Sequence, residues 1–374
     1  MQARNDRLAM QYDLSVLITP TKSGGSLSKL AASLLRHFKA THSIQIVVVV
    51  PEKQRTDSLY NHLKELKSKV ASLTLIPVDE HQKSDVPHWR ALAFQASSGR
   101  IAVFLEDNAV IEPGWWEAWQ NCCNTNDWTI ASGLVRPDSE RLSRTESAVF
   151  FCEYGLFLPT STGRKIKPLH RVAGNHWAVN RQKVSVGNQI ESIDEHDWVH
   201  QFTSKAQLPF WNENAIVKCN RQIGLKEALA ERAMQGFRYG RSESIKSGWF
   251  RRLKMIHAGI AITGIQLARL FRVVAQRRME LRLWIRALPL TIAMIHTWSL
   301  GEWAGWCMGA VAVVFHRNLQ DRTKKASEIP NASVPANAMV VKFDEPTNIT
   351  VPNPHFSGVN REVHGVVTSQ RYYD

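Results

Sequence analysis

The sequence is poor in cysteine and has no cysteine motif that would bind a metal. Five cysteines are scattered over 374 residues, and no two of them form a Cys-x-x-Cys pair. This excludes a disulfide-stapled scaffold and a cysteine-type zinc site, and it predicts reduced thiols in an intracellular compartment. The opening stretch, MQARNDRLAMQYDLS, lacks the apolar core of a signal peptide. We therefore expect the bulk of the chain to stay in the cytoplasm.

Acidic residues are fewer than basic ones, and most of the difference comes from one segment of the chain. The chain carries 47 Lys and Arg against 33 Asp and Glu, and residues 217–286 hold 16 of the basic residues but only four acidic ones. Such a block meets phosphate, either of nucleic acid or of an anionic membrane, unless it is simply a solvated helix face. Here the basic residues flank long apolar runs, whereas a nucleic-acid binder would alternate them with exposed aromatics on a polar face. The pattern favours an anionic membrane surface and no nucleic acid.

The first 110 residues alternate between apolar strands and amphipathic helices. Strands are predicted at 13–19, 44–50, 73–78 and 100–107, with helices at 26–38, 57–71 and 89–98 between them. Fully apolar strands separated by helices indicate a doubly wound, mostly parallel α/β sheet covered on both faces. Ligands of such sheets bind at the carboxyl ends of the strands.

The C-terminal third is helical, basic and apolar. Residues 256–275 contain only two charges, Arg269 and Arg272, and residues 288–315 contain only Glu302. Each run is long enough to cross a bilayer, but the polar residues inside both favour interfacial or re-entrant helices. A buried helical hairpin is the alternative. The predicted organisation is an N-terminal extension (1–12), an α/β domain (13–222), a membrane-associated helical module (223–316) and a loosely ordered tail (317–374).

An acidic cluster follows the fourth predicted strand. Glu106, Asp107 and Asn108 stand between the buried run RIAVFL and a Pro-Gly turn at 113–114. Carboxylates at the end of a buried strand are costly unless they are paired or bound to a metal. Because Mg²⁺ prefers oxygen ligands and often holds a diphosphate through one or two carboxylates, these three residues are the candidate metal ligands. A structural strand terminus is the alternative.

This segment resembles the acidic motif of family 2 glycosyltransferases with a GT-A fold. It is most similar to a bacterial, membrane-associated branch in which Glu-Asp-His-Cys precedes a Pro-Gly-Trp turn. The resemblance spans roughly residues 13–310 and includes LITPTKSGGSLSKLAASLL near the N-terminus, FFCEYGLFLP (150–159) and GEWAGWCMG (301–309). It implies a GT-A-like, nucleotide-diphospho-sugar transferase fold.

The resemblance also implies roles for individual residues. Glu195 is the candidate general base, with Asp194 and Asp197 as neighbours that could take the role, and like charges with partial burial are expected to raise its pKa. A Mg²⁺ or Mn²⁺ ion would lie at Glu106, Asp107 and Asn108. The donor-binding candidates are Thr19, Pro20, Thr21, Glu52, Arg90, Glu106, Asp107, Gly174, Asn175, Arg238 and Arg241. Trp115, Trp116 and Trp177 are candidates for stacking on a sugar, although core packing is the ordinary role of a tryptophan.

Two positions depart from the family pattern. The second strand ends Val50-Pro51-Glu52 where the family usually has Asp-Asp-Gly-Ser, and Asn108 replaces an acid or histidine. The implied activity is a metal-assisted, inverting hexosyltransferase (EC 2.4) that uses a nucleotide-sugar donor and a lipid-linked or polysaccharide acceptor. It would work at the cytoplasmic face of the inner membrane, beside polysaccharide-assembly proteins. The two departures favour, as the alternative, a catalytically degenerate GT-A-like binding protein in a polysaccharide-assembly complex.

Overall fold

The computed structural model describes residues 11–21, 25–37, 43–79, 85–124, 128–138, 142–159, 171–184, 190–203, 208–277 and 281–327. The predicted N-terminal extension, up to residue 10, and the predicted tail beyond residue 327 lie outside the described residues. The chain divides into two compact units, Met1–His316 and Arg317–Asp374. In the second unit the described residues, Arg317–Ser327, are helical.

Eight strands and nine α-helices follow one another along the described chain. The strands are β1 (Tyr12–Thr19), β2 (Ile44–Pro51), β3 (Ser72–Val78), β4 (Gly99–Glu106), β5 (Ala109–Ile111), β6 (Ile130–Pro137), β7 (His176–Asn180) and β8 (Phe210–Cys219). The helices are α1 (Leu27–His37), α2 (Asp57–Lys67), α3 (Val86–Gln95), α4 (Trp115–Asn124), α5 (Arg144–Tyr154), α6 (Glu195–Phe202), α7 (Leu225–Lys246), α8 (Trp249–Arg277) and α9 (Leu281–Ser327). Short 3₁₀ helices occupy Glu52–Gln54 and Gly155–Phe157.

The strands form one mixed sheet in the order β3-β2-β1-β4-β7-β6-β8-β5. The N-terminal four are parallel to one another, and β6 is parallel to β8. Antiparallel pairs join β4 to β7, β6 to β7 and β5 to β8. The predicted mostly parallel α/β sheet is confirmed, and the four strands predicted in the first 110 residues lie within one or two residues of their expected bounds.

The apolar strands are buried because helices cover both faces of the sheet. Every residue of β2 is buried, and its side chains alternate between two core clusters. Ile46 and Val48 belong to the larger cluster, while Val47 and Val49 belong to the smaller one. Since side chains of a strand point to opposite faces in turn, a continuous apolar run is what a sheet covered on both sides requires.

Glycines bring α7 and α9 into close contact. A Cβ at Gly240 would lie 2.1 Å from the carbonyl oxygen of Glu302, and one at Gly305 would lie 2.2 Å from that of Phe237. Gly301 approaches Ala233 in the same way. Small residues at such spacing let two helix backbones pack against each other. The GEWAGWCMG segment therefore forms the seam of a helix pair.

Among the described residues, we find no helix that combines the length and the apolarity needed to span a membrane.

The close packing of α7 and α9 predicts that two glycine-to-alanine substitutions change the free energy of unfolding in opposite directions. We expect Gly240→Ala to lower the free energy of unfolding by about 1–3 kcal/mol, because the added methyl forces α7 and α9 apart. The matched control is Gly264→Ala on α8, where a Cβ meets nothing within 4 Å. That change is expected to raise the free energy of unfolding by about 0.5–1 kcal/mol. Urea denaturation measures both, and equal effects would contradict the packing assigned here.

Candidate functional site

The first residues of the candidate site lie at the carboxyl ends of the parallel strands β1 and β4. Thr19, the last residue of β1, is the register partner of Glu106, the last residue of β4. The backbone N–H of Asp107 then donates to the carbonyl oxygen of Thr19 at 3.0 Å. The acidic cluster therefore lies where a doubly wound sheet binds its ligands.

A buried guanidinium on α3 joins the two acidic segments of the sequence. Arg90 is 2% exposed. Its Nη2 donates to Glu106 Oε1 at 2.9 Å and to the carbonyl oxygen of Gly174 at 2.8 Å, and its Nη1 donates to Glu195 Oε2. Glu106 and Glu195, the predicted donor-side and base residues, are thus held by one side chain. The prediction placed Arg90 at the site but did not foresee that it pairs with both carboxylates.

The Asp107 carboxylate is bound by protein donors on both oxygens. Oδ1 accepts from the backbone N–H of Thr21 at 2.8 Å and from its hydroxyl at 2.7 Å, while Oδ2 accepts from Gln54 Nε2 at 2.9 Å. A Cβ at Gly25 would lie 1.8 Å from Oδ1, so this turn needs a glycine. The predicted donor residue Glu52 is exposed, and its contact with a nucleotide stays a prediction. Gln54 was not predicted; it reaches Asp107 from the 3₁₀ helix that follows β2.

Two asparagines continue the polar chain behind Glu106. Asn108 Nδ2 donates to Glu106 Oε2, and Asn175 Nδ2 donates to Asn108 Oδ1, both at 3.2 Å. The backbone N–H of Glu106 donates to the carbonyl oxygen of Asn175 at 3.2 Å. Within the described part of the chain, the buried Asn175 Oδ1 has no hydrogen-bond partner. The predicted residues Gly174 and Asn175 therefore do lie beside the acidic cluster.

The two carboxylates that Arg90 holds have opposite pKa shifts. Burial raises the pKa of Glu106 to about 7, although Arg90 acts against the shift. Burial also raises the pKa of Asp107. Burial acts to raise the pKa of Glu195 too, but the charge of Arg90, its hydrogen bond and a backbone hydrogen bond together lower it. The expected raised pKa of Glu195 is therefore wrong, because the expectation counted neighbouring acids and missed the cation.

The two acids next to Glu195 have different surroundings. Asp194 is the N-cap of α6, and its Oδ1 accepts from the backbone N–H groups of His196 at 2.9 Å and Asp197 at 3.2 Å. Burial and the nearby Glu195 raise the pKa of Asp194. Asp197 is exposed. Glu195 alone of these three acids bonds to Arg90 through its side chain.

The remaining predicted donor residues lie on different elements. Pro20 is buried directly after β1. Arg238 is exposed and Arg241 half-buried on α7, the helix that packs against α9 through its glycines. Their proposed contact with a donor phosphate stays a prediction.

Two buried tryptophans of α4 surround a histidine. Trp115 and Trp119 both donate their indole N–H to His176 Nε2, at 2.9 and 3.2 Å. His176 Nδ1 lies 3.3 Å from the carbonyl oxygen of Leu134, to which it donates in the neutral form. Burial lowers the pKa of His176 to about 3, so the ring is neutral at ordinary pH. His176 opens β7 directly after Gly174 and Asn175, so this cluster anchors the turn that meets Arg90.

The tryptophans considered for sugar stacking are buried. Trp115 and Trp177 are 0% exposed and Trp116 is 5% exposed. Trp177 stacks on Phe104 with ring centroids 4.3 Å apart. Their ordinary role, core packing, is confirmed.

The side chains of the acidic cluster do not fit a divalent cation in this arrangement. Both carboxylate oxygens of Asp107 accept from protein donors, both of Glu106 do the same, and Asn108 Oδ1 accepts from Asn175. Within the described part of the chain, no group of three or more His, Cys, Asp or Glu side chains is arranged to hold a metal. The guanidinium of Arg90 already supplies a positive charge beside Glu106. The Mg²⁺ or Mn²⁺ ion therefore stays a prediction, and no step proposed below depends on it.

No family model matches the sequence, and no curated protein matches it. Among solved structures, the chain is similar to mannosyltransferase PcManGT from Pyrobaculum calidifontis in complex with GDP-Man and Mn²⁺. The identity is 13%, over 84% of this chain and 80% of that one, with a TM-score of 0.41. It is also similar to S. aureus TarS 1–349 in complex with UDP, with 12% identity over 78% and 90% of the two chains and a TM-score of 0.35. For TarS 1–349 without a ligand named, the identity is 13% over 77% of this chain and 90% of that one, with a TM-score of 0.36.

The Arg90 cluster predicts that a single substitution of Arg90 lowers the free energy of unfolding much more than a combined substitution of Arg90 and its two carboxylate partners. Arg90→Met leaves two buried carboxylates without their cation, and we expect a loss of about 3–5 kcal/mol in the free energy of unfolding. Adding Glu106→Gln and Glu195→Gln removes those charges and is expected to recover most of the loss. Urea denaturation measures both variants, with Arg238→Met, an exposed arginine on α7, as the control. A loss no larger than that of the control would contradict a buried ion-pair cluster.

The neutral His176 predicts a pH dependence of stability. The folded protein keeps this ring unprotonated down to a pH of about 3, whereas an unfolded histidine takes up its proton near its ordinary value of 6.5. Between these values the unfolded state binds more protons, so stability falls as the pH falls. We expect the slope between about pH 4 and 6 to be smaller in His176→Gln by about 1.4 kcal/mol per pH unit. The matched control is His296→Gln, an exposed histidine on α9, and an equal slope change in both variants would contradict the assignment.

Proposed function

We propose that this protein transfers a sugar from a nucleotide-sugar donor to an acceptor hydroxyl. The observation that supports the proposal is the cluster in which Arg90 binds Glu106, Glu195 and the carbonyl oxygen of Gly174. It joins the residues that the resemblance assigns to the donor side and to the general base. They lie together at the carboxyl ends of β1 and β4, where an open α/β sheet binds ligands.

In this proposal Glu195 is the general base. Its lowered pKa keeps it ionised at neutral pH, as a base must be before it takes a proton. Oε2 is held by Arg90, and the side chain is 32% exposed, so Oε1 remains for an acceptor hydroxyl. A Cβ at Gly174 would lie 3.0 Å from this Oε1, so the glycine keeps the space beside it open. One base on one face of the sugar is what an inverting transfer requires.

Glu106 has a different part. A pKa of about 7 leaves it able to exist in either protonation state at neutral pH, and the bond to Arg90 fixes its orientation. We propose that Glu106 positions Arg90 and Asn108 against the donor. Thr21 and Gln54, which hold Asp107, would then line the nucleotide side, with Thr19 and Pro20 behind them.

The finer assignments follow from the same proposal. A lipid-linked or polysaccharide acceptor, a hexosyl donor and partner proteins of polysaccharide assembly are what the family resemblance supports. The cytoplasmic face of the cell membrane is the proposed location, because nucleotide sugars are supplied there and the basic excess of residues 217–286 favours an anionic surface.

One alternative has a specific observation in its favour. The oxygens of Glu106 and Asp107 are engaged by protein donors, and Glu195 is paired with a cation. Such saturation also suits a catalytically degenerate protein that binds a nucleotide or polysaccharide without turnover. Donor binding alone does not separate the two functions, whereas turnover does.

A ligand screen tests the proposal before any variant is made. A nucleotide sugar that binds the folded state raises the melting temperature, so each donor is tested by thermal shift with Mn²⁺ and with a chelator. Stabilisation by a donor, followed by its transfer or hydrolysis, supports the transferase. Stabilisation without turnover supports the binding protein, and no response to any nucleotide sugar would overturn the transferase and leave only a polysaccharide-binding protein. Equal shifts with Mn²⁺ and chelator would show that donor binding needs no metal.

With a donor identified, Glu195→Gln is expected to lower turnover by roughly two to four orders of magnitude, as for loss of a general base. Donor affinity measured by calorimetry should stay near normal, since the variant keeps the size and hydrogen-bonding capacity of the side chain. The matched control is Asp197→Asn on the same helix, whose side chain is exposed. If Asp197→Asn is inactive and Glu195→Gln is active, the base is assigned to the wrong residue.

A further inference from the structure

Helix α8 presents a large unburied apolar face. Phe250 is 86% exposed, Phe271 is 60% exposed and Trp249 is 57% exposed, while Leu253 and Ile265 are also exposed. At about 3.6 residues per turn, positions 250, 253 and 271 lie along one side of the helix. Of the sixteen large hydrophobic side chains that are exposed among the described residues, eleven belong to α8 or α9. Exposed large apolar side chains concentrated on one helix pair mark an interaction site.

The opposite side of α8 is fixed to the α/β unit. Leu270 and Val274 are buried in the larger core cluster. Arg252 is buried as well, and its Nε donates to the carbonyl oxygen of Ser244 at 2.6 Å, at the end of α7. A helix with one side bound to a globular core offers only the other side to a partner.

A basic strip runs beside the apolar face. Lys254, Arg269 and Arg272 are exposed, and Lys254 and Arg272 stand about five helical turns apart on the same side of the helix. The sequence of α8 contains no Asp or Glu from residue 249 to residue 277. Arg251 forms a salt bridge with Glu243 on α7, with a nitrogen–oxygen distance of 3.2 Å.

Helix α9 adds to the same surface. Trp303, which is 44% exposed, donates its indole N–H to the carbonyl oxygen of Ile256 on α8 at 3.2 Å. An indole at the boundary between an apolar face and water is typical of a membrane interface, where one end of the ring is apolar and the other is polar.

We infer that the face of α8 formed by Trp249, Phe250, Leu253, Ile265 and Phe271 lies in the interface of an anionic lipid membrane. The apolar side chains enter the boundary between headgroups and acyl chains, and Lys254, Arg269 and Arg272 bind the lipid phosphates. The helix lies along the membrane plane, because Leu270 and Val274 on its other side are buried in the larger core cluster. Charge favours an anionic lipid over an apolar protein partner, since three exposed basic side chains accompany this face and α8 contains no Asp or Glu.

Flotation of the full-length chain with vesicles tests this inference, and it does not depend on transferase activity. The full chain is needed because Leu270, Val274 and Trp284 belong to the main core. We expect the protein to float with vesicles that contain phosphatidylglycerol, and to float more weakly with pure phosphatidylcholine.

Two paired substitutions separate the apolar and electrostatic parts. Phe250→Ser with Phe271→Ser is expected to weaken binding to phosphatidylglycerol vesicles by at least about tenfold. Lys254→Glu with Arg272→Glu should weaken that binding by about 25-fold, at roughly fivefold per basic residue, with little effect on pure phosphatidylcholine. All four side chains are exposed, so thermal melting should be unchanged.

The matched controls lie on α2, another amphipathic helix. Tyr60→Ser removes an exposed aromatic, and Lys64→Glu with Lys67→Glu reverses two exposed charges. Both controls should float like the parent protein. Failure of the parent protein to float, or equal floating of all variants, would overturn the inference. A dimer that Phe250→Ser with Phe271→Ser converts to a monomer, without vesicle binding, would instead assign this face to a second copy of the chain.

Discussion

One buried cation organises the candidate site. The guanidinium of Arg90 binds acceptors from three places that are far apart in the chain: Glu106 at the end of β4, Gly174 before β7, and Glu195 in α6. A buried charge is tolerated only when its desolvation is offset by close partners. The position of α3 on the sheet, the turn before β7 and the start of α6 therefore depend on one another.

The same cation separates the chemistry of the two acids. At Glu106 desolvation dominates and the pKa rises, whereas at Glu195 the charge of Arg90 and the hydrogen bonds to the carboxylate together exceed the effect of burial and the pKa falls. A pair of carboxylates whose pKa values are driven apart can take different roles in one reaction. The anchoring of the turn by His176 and two indoles matters for this reason, since a small shift of Gly174 would move an acceptor of Arg90.

Much of the fold could be predicted from the sequence because local pattern determines it. The run IQIVVVV reads as a doubly covered strand, and Glu106 reads as a residue at a strand end. The rest depends on contacts through space. Nothing around position 54 in the sequence shows that Gln54 reaches Asp107. The acids near Glu195 are visible in the sequence, but Arg90, which reverses their effect, is 105 residues away.

The basic residues of this protein act in two physically different ways. A charge count predicted the exposed basic surface but not the buried arginines. Arg90 and Arg252 are buried, and each needs particular oxygen acceptors, so each fixes a geometry. Lys254, Arg269 and Arg272 are exposed, and such charges act additively and are screened by salt. A net charge is informative only about the second kind. The first kind is recognised when a basic residue stands on an otherwise apolar helix face, as Arg90 does on α3 with Ala93 and Phe94, which lie three and four residues further along and are buried. In such a position the side chain cannot reach water, and an acceptor must come to it from elsewhere in the fold.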